Sequence, residues 1–186
     1  DGGYIAGGDL GSSSIQVGDY TLTNTGSYDG MIIKYSEKEL VNVDITKAEG
    51  IGGSSADQIT SVASTSDGGY IAGGYFYSSR VQVGEYTLTN SSSSTNYTDG
   101  MIIKYSSTGE VEWARSVGGS NHDYIYSVAE TSDGGYIAGG YFKSSSIQVG
   151  ENTLTNSGNY DGMIIKYNAS GEVEWARSVG GSDYDE

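Results

Sequence analysis

The sequence predicts an all-β fold made of three similar antiparallel units, on three observations. One eight-residue word, Asp-Gly-Gly-Tyr-Ile-Ala-Gly-Gly, begins at positions 1, 67 and 133. Segments rich in β-branched and aromatic residues alternate with Gly, Asn, Asp and Ser clusters, which is the pattern of short strands joined by turns. No segment has helical periodicity beyond a few residues. Internal repetition at this period predicts a repeat architecture.

Each unit carries the same further words in the same order. The spacing between copies is 66 residues both times, but the first two copies each contain a four-residue insertion at a different place, which leaves a basic period of about 62. We divide the chain into repeat 1 (1–66), repeat 2 (67–132) and repeat 3 (133–186). Lys47 stands where the later copies have Trp113 and Trp175, so the last strand of repeat 1 departs from the pattern.

Each element of the unit follows from its residues. Asp133-Gly134 predicts a tight hairpin of the primed type, because glycine accepts positive φ. Gly150-Glu151 lies between two alternating segments and predicts a two-residue hairpin inserted between the second and third main strands. Around repeat 3 the predicted strands are 125–131, 136–142, 147–149, 153–155, 163–167 and 172–179.

Four antiparallel main strands per period are typical of a β-propeller blade, so we predict a β-propeller-like array of four-stranded blades. The inserted hairpin accounts for a period longer than the usual 40–50 residues of propeller repeats. A β-solenoid is the alternative, although its coils repeat in far fewer residues.

The chain begins at the second strand of a blade and ends just before a first strand. Repeat 1 therefore lacks its first strand, and repeat 3 stops before the next one. Propellers usually close with four to eight blades, and exposed strand edges promote association. We expect either a longer array or self-association, for example two chains giving six blades, and an isolated closed ring of three blades would contradict this.

Composition excludes several function classes. Lys and Arg number 9 against 24 Asp and Glu, a net charge of −15, which argues against binding nucleic-acid backbones or anionic lipid. The absence of cysteine excludes disulfides, thiolate catalysis and cysteine-ligated metals. No apolar run approaches the roughly 18 residues that span a bilayer, so no membrane insertion is expected.

The order SVAETSDGGYIAGGYF, then DGMIIKY, then SGEVEWARSVGGS resembles the β-propeller repeat of bacterial and archaeal surface proteins often called SBBP. The resemblance extends over all three copies. It implies a secreted or cell-surface prokaryotic module that serves as a scaffold or adhesion surface. It implies little about a specific site, since that family is defined by architecture.

Recurrent carboxylates are the first candidates for a site. Asp57 and Asp123, with Asp183 and Asp185 in the last copy, lie in Ser/Asn-rich loops where oxygen ligands would suit calcium, and Glu186 adds to that set. The alternative is that these aspartates cap the turn before the next strand by accepting backbone N–H bonds. No Asp-x-Asp-x-Asp-Gly loop occurs. Apart from calcium, we expect no cofactor.

A tyrosine surface is the second candidate. The chain has 17 tyrosines, and Tyr77, Tyr97 and Tyr160 are candidates for a glycan- or protein-binding surface, because tyrosine is apolar with a polar tip. His122, the only histidine, is expected to be a surface residue. The carboxylate pairs Glu110/Glu112 and Glu172/Glu174 suggest a glycosidase only weakly, since catalytic pairs seldom repeat in every unit.

From these residues we expect no enzyme. The first function hypothesis is a self-associating scaffold or adhesion module. The second is a glycan- or protein-binding module that uses loop and tyrosine surfaces. A glycosidase-like enzyme ranks last.

Overall fold

The structure, a computed structural model, describes residues 3–38, 42–92 and 96–185. Over these residues the chain forms seventeen β-strands and no helix, and every strand pairs antiparallel with its neighbours in sheets of two to four strands. The all-β prediction is therefore confirmed. The same part of the chain contains no helix of the length and apolar character that crossing a membrane requires.

The first sheet has three strands in the order β1-β4-β5. A separate hairpin, β2–β3, interrupts it between β1 and β4. The five strands are β1 (Tyr4–Leu10), β2 (Ser14–Val17), β3 (Tyr20–Thr23), β4 (Asp29–Lys38) and β5 (Asn42–Ile51).

The second sheet has four strands, β6-β7-β10-β11, with the hairpin β8–β9 between its middle two. These strands are β6 (Asp57–Ser64), β7 (Tyr70–Phe76), β8 (Arg80–Val83), β9 (Tyr86–Thr89), β10 (Asp99–Tyr105) and β11 (Val111–Val117). The third sheet, β12-β13-β16-β17, repeats this layout with the hairpin β14–β15. Its strands are β12 (Asp123–Glu130), β13 (Tyr136–Phe142), β14 (Ser146–Val149), β15 (Asn152–Thr155), β16 (Asp161–Tyr167) and β17 (Val173–Val179).

Sheet boundaries are offset from repeat boundaries. Strand β6 lies within residues 1–66 but pairs with β7 of the following repeat, and β12 pairs with β13 in the same way. Each four-stranded sheet thus joins the end of one repeat to the beginning of the next. In the first sheet, β1 is an edge strand.

The two turns predicted in repeat 3 differ in outcome. Gly150 has a φ of 60° and opens the two-residue loop between β14 and β15, as predicted. The prediction of a primed turn centred on Asp133-Gly134 is wrong, because Gly134 N–H donates to the Thr131 carbonyl. The central residues are therefore Ser132 and Asp133. Gly134, with a φ of 79°, follows them and makes the loop one residue longer.

The departure at Lys47 leaves the fold intact. Lys47 pairs with Lys34 in the register that joins Trp113 to Lys104 in the second sheet. The ring of Trp113 lies against Gly171 of the third unit, and the aliphatic stem of Lys47 lies against Gly109 of the second. A lysine stem covers apolar surface as part of the indole would, so β5 still forms the last strand of its sheet.

The main sheets stack through their first strands. Strand β6 packs across β1 and β4 of the first sheet, and β12 packs across β6, β7 and β10 of the second. Both first strands contain a β-bulge, at Thr60 and Tyr126. The extra residue turns an isoleucine and a valine three positions apart toward the same neighbouring sheet.

Glycines receive these isoleucine and valine side chains. A Cβ added at Gly73 would lie 2.6 Å from Cγ1 of Val128 and 2.9 Å from Cγ2 of Ile125, and one at Gly7 would lie 2.9 Å from both Ile59 and Val62. At Gly139, the same position of the third sheet, nothing lies within 4 Å. The glycines therefore let consecutive sheets approach closely, and the outer face of the third sheet has no such cover.

This packing predicts opposite effects of one substitution at two equivalent glycines. We expect Gly73→Ala to lower the free energy of unfolding by about 1–3 kcal/mol, because the new methyl overpacks Ile125 and Val128. Gly139→Ala is the matched control and should be neutral or slightly stabilising, because alanine suits a strand better than glycine does. Chemical denaturation followed by circular dichroism measures both. Equal losses at the two positions would contradict the packing.

Candidate functional site

Asp57 and Asp123 begin the first strands of the second and third sheets, where both are buried. The Asp123 carboxylate accepts hydrogen bonds from Gly119 N at 2.8 Å, Ser144 Oγ at 2.7 Å, and the backbone N of Lys143 and Ser144 at 3.1 and 3.2 Å. Asp57 accepts equivalent bonds from Gly53 N and from Ser78. Each carboxylate thus ties the loop before a first strand to the loop after the second strand.

Burial raises the pKa of both groups. For Asp123, burial and the nearby Asp99 outweigh the hydrogen bonds and raise the pKa from 3.8 to about 6. For Asp57, burial raises the pKa in the same direction, with Asp29 contributing and the bonds from Ser78 and Gly53 opposing it. These loops therefore hold carboxyl groups that titrate closer to neutral pH than ordinary aspartates do.

The calcium hypothesis placed Asp57, Asp123, Asp183 and Asp185 in metal loops. The carboxylate oxygens of Asp57 and Asp123 accept hydrogen bonds from backbone N–H groups and serine hydroxyls. The turn-capping alternative predicts this arrangement. Asp185 accepts a bond from Gly181 N, Asp183 is exposed, and Glu186 lies outside the described residues. In the part of the chain that the structure describes, no three acidic or histidine side chains are close enough to hold a metal ion.

A second set of aspartates begins β4, β10 and β16, the strands that follow the inserted hairpins. Asp29, Asp99 and Asp161 each accept a bond at Oδ2 from the backbone N of a residue after the inserted hairpin, at 2.8, 2.7 and 3.0 Å. Their Oδ1 atoms are buried with no hydrogen-bond partner. These atoms face the glycines that follow the last strand of each sheet, Gly52, Gly118 and Gly180. These residues therefore organise the turns that precede β4, β10 and β16.

The glutamates of the fourth strands form ion pairs. Lys104, fully buried, contacts Glu112 at 3.0 Å and Asp67 at 2.8 Å. Burial opposes ionisation of Asp67, but hydrogen bonds from Lys104, Thr65 and Gly69 N outweigh it and lower the pKa to about 2. Lys166 repeats the arrangement with Glu174 and Asp133.

Aromatic side chains form a continuous row across the second and third sheets, which we call the tyrosine ribbon. Consecutive ring centroids lie 4.5–6.3 Å apart. Its members are Tyr75, Tyr77, Tyr97, His122, Tyr124, Tyr126, Tyr141, Tyr160 and Tyr184.

The structure brings the three predicted tyrosines into this ribbon at two places. Tyr77 and Tyr97 both lie edge-on to His122, with centroids 5.9 and 5.2 Å away. Tyr160 stacks on Tyr141 at 4.5 Å, and Lys143 Nζ lies 5.3 Å from its ring. The sequence analysis named these three tyrosines individually, but it did not predict that they belong to one continuous row.

Sequence reasoning missed the centre of the ribbon. Tyr124 and Tyr141 are opposite each other in the β12–β13 register, with ring centroids 5.0 Å apart, so only the register shows that they meet. His122, expected to be an isolated surface residue, is half-buried, and burial together with Lys143 lowers its pKa. The imidazole is therefore neutral near pH 7 and extends the aromatic surface.

The ribbon has both exposed rings and an adjoining groove. Tyr126 and Tyr184 are exposed, whereas the other members are half-buried. A groove of about 200 Å³ continues from Tyr75 and Tyr77 to Tyr28 and Asp9 on the first sheet. Chemically, this surface offers stacking faces and phenolic hydroxyl groups.

The chain matches no protein-family model, and no curated protein is recognisably similar to it in sequence.

The raised pKa of Asp123 predicts how the stability of the fold changes with pH. Because its pKa is higher in the folded than in the unfolded chain, its contribution to stability is greatest below about pH 4 and declines as the pH rises through about 6. The free energy of unfolding of the wild type minus that of Asp123→Asn should fall by about 1–3 kcal/mol between pH 4 and 7. Denaturant titrations at both pH values measure it. A difference that is constant or grows with pH would contradict the prediction.

The hydrogen-bonded carboxylates of Asp57 and Asp123 predict that removing divalent cations leaves the fold unchanged. We expect the melting temperature with EDTA to equal that with added calcium within about 1 °C, because a cation stabilises a fold only by binding it, and protein donors already bond the carboxylates of Asp57 and Asp123. Scanning calorimetry provides the comparison. A melting temperature that falls with EDTA and recovers with calcium would instead support the calcium hypothesis.

Proposed function

We propose that this chain is a non-enzymatic extracellular or cell-surface repeat module that acts as a scaffold or adhesion surface. The tyrosine ribbon carries the adhesion part of this proposal, because a row of nine contacting aromatic groups is the kind of surface that binds partners. Aromatic residues are enriched at interfaces because they bury a large area at low entropic cost. The resemblance to SBBP-type surface repeats and the net charge of −15 support a prokaryotic extracellular setting.

We also propose a propeller-like arrangement of the three main sheets, with a β-solenoid as the alternative. Two features support blades. In each sheet the main strands lie side by side in chain order, and the second and third sheets each pack on the preceding sheet through their first strands, β6 and β12. Both connected sheet pairs use the same glycine positions for this packing. A solenoid instead builds each coil from strands that belong to different sheets.

The bare face of the third sheet supports self-association. Ile164 is 40% exposed there, whereas its equivalents Ile32 and Ile102 are 1% and 0% exposed beneath a following sheet. The face also carries the open glycine Gly139 and the exposed Val179. A further unit of the same kind, from a longer array or a second copy, would bury these residues.

A specific glycan- or protein-binding role is the second candidate. The exposed rings of Tyr126 and Tyr184 and the groove beside Tyr28 favour it, because planar stacking faces beside hydroxyl groups suit sugar rings and protein side chains alike. An enzymatic role has less support. Glu112 and Glu174, the glutamates nearest the tryptophans, form ion pairs with lysines in the sheet.

The ribbon predicts that ligand binding depends on its exposed tyrosines. We expect the double variant Tyr126→Ala/Tyr184→Ala to weaken binding to any glycan-array or surface-protein ligand of the wild type by at least about tenfold, since stacking area is lost. Tyr4→Ala, at an exposed tyrosine that begins β1 and is not a member of the ribbon, is the control and should bind normally. Absence of any ligand, or equal losses in both variants, would count against an adhesive ribbon.

The exposed third-sheet face predicts concentration-dependent assembly. Light scattering of the wild type should show a mass that rises with concentration, because self-association buries Ile164 and Val179. Ile164→Asp should stay monomeric at concentrations where the control, Thr153→Asp on an exposed hairpin position, still assembles. A wild type that remains monomeric throughout would contradict self-association.

A further inference from the structure

The groove between the first and second sheets lies where the aromatic row is interrupted. At the junction of the second and third sheets, the His122 ring lies 5.2–5.9 Å from the rings of Tyr77, Tyr97 and Tyr124. The equivalent residue at the first junction is Ala56, since both residues immediately precede the aspartate that begins a first strand. Alanine has no ring, and a groove of about 200 Å³ is open beside it.

The same groove contains a carboxylate where the other repeats have a tyrosine. Asp9 lines the groove, and its equivalents in the later repeats are Tyr75 and Tyr141. Tyr75 also lines it, and the Tyr75 hydroxyl donates to Gln58 Oε1 while Gln58 Nε2 donates to Asp9 Oδ2. These two bonds hold the carboxylate in place. Among the described residues, no lysine or arginine lines the groove or forms an ion pair with Asp9.

The ring of Tyr28 forms part of the groove because the residue at position 11 is glycine. A Cβ added at Gly11 would lie 2.8 Å from Cε1 of Tyr28. In the third sheet the equivalents of Gly11 and Tyr28 are Lys143 and Tyr160, and Lys143 Nζ lies 5.3 Å from the Tyr160 ring. The third sheet thus supplies a cation of its own to the tyrosine at this position, whereas the first sheet has no side chain there to do so.

We propose that this groove, which we call the ammonium groove, binds a quaternary ammonium group. Its lining provides the carboxylate of Asp9 and three tyrosine rings, those of Tyr28, Tyr75 and Tyr77. The faces of aromatic rings attract such cations, and the carboxylate and the net charge of −15 add to this attraction. The site deepens the binding role proposed above, and rests on it, by naming the class of ligand that the groove beside the ribbon takes.

Other organic cations suit the groove less well. A guanidinium binds best through two parallel hydrogen bonds to both oxygens of a carboxylate, but Gln58 already bonds Oδ2 of Asp9. A primary ammonium is strongly hydrated and has three N–H groups to satisfy. A quaternary ammonium has no N–H group, so ring faces and one carboxylate are sufficient. The groove is smaller than the roughly 300–1,000 Å³ of sites for drug-sized ligands, so it fits a small head group.

The probe for this site is choline, titrated into the full chain at constant ionic strength and followed by calorimetry. We expect saturable binding with a dissociation constant in the millimolar range or lower. The neutral isostere of choline, in which a tert-butyl group replaces the trimethylammonium, should bind at least about tenfold more weakly, because it has the same shape without the charge. Absence of saturable choline binding, or equal affinity for the two compounds, would overturn the proposal.

Substitutions at the lining test where choline binds. Asp9→Asn should weaken binding by at least about fivefold, because it removes the charge and keeps the shape. Asp19→Asn, at an exposed aspartate in the β2–β3 hairpin, is the matched control and should bind normally. Tyr28→Leu should weaken binding similarly while Tyr28→Phe preserves it, since the ring face contacts the cation. Equal losses in the two asparagine variants would mean that net charge alone attracts choline, which contradicts a defined site.

Ala56→His places in the groove the residue that fills the next junction. It should abolish choline binding at an unchanged melting temperature, because the imidazole occupies the space and leaves Asp9 in place. A folded Ala56→His variant that still binds choline would overturn the proposal. Tyr126→Ala/Tyr184→Ala should bind choline normally, because neither ring lines the groove. Choline binding without any ribbon partner would contradict the proposed function alone, and a ribbon partner without choline binding would contradict the ammonium groove alone.

Discussion

The structure depends on the contact between an isoleucine–valine pair on one sheet and a glycine on the preceding sheet. A four-stranded sheet cannot bury its apolar residues alone, so each unit needs a neighbour against its face. Ile125 and Val128 reach the second sheet because β12 is bulged at Tyr126 and because Gly73 has no side chain in their way. The buried cluster that contains Ile71, Ile102 and Tyr167 lies at this junction.

Polar contacts at the sheet ends fix the same geometry. At one end, the buried Asp57 and Asp123 hold the loops that position each first strand. At the other, Lys104 joins the turn at Asp67 to the fourth strand at Glu112. Buried groups with satisfied hydrogen bonds specify one arrangement of a chain better than apolar packing alone. The tyrosine ribbon depends on this register, since its rings come from different strands and sheets.

Much of the fold could be predicted from the sequence, because turn residues and alternation mark strands directly. Strand β13 has the predicted bounds, and the two-residue hairpin at Gly150 was predicted from Gly-X alone. The bulges could not be predicted, because the spacing of Ile125 and Val128 breaks the alternation from which strand faces are assigned. The turn at Asp133 was one residue longer than its Asp-Gly signal implied.

The candidate site was predictable in its residue types but not in its connections. Repetition pointed to the aspartates of the loops, but their partners, such as Ser144, come from a strand end twenty-one residues away. Tyr77, Tyr97 and Tyr160 were identified individually, whereas His122 and Tyr124, which join them, depend on cross-strand register. Long-range register is set by packing between sheets, which a single sequence does not encode locally.

A double-mutant cycle on Gly73 and Val128 tests the central contact most directly. The added methyl of Gly73→Ala and the space left by Val128→Ala occupy the same junction, so the double variant should be more stable than the sum of the two losses predicts. We expect a coupling free energy of at least about 1 kcal/mol from denaturant unfolding. Additive losses would mean that the two residues do not meet and that the sheets are not joined as described.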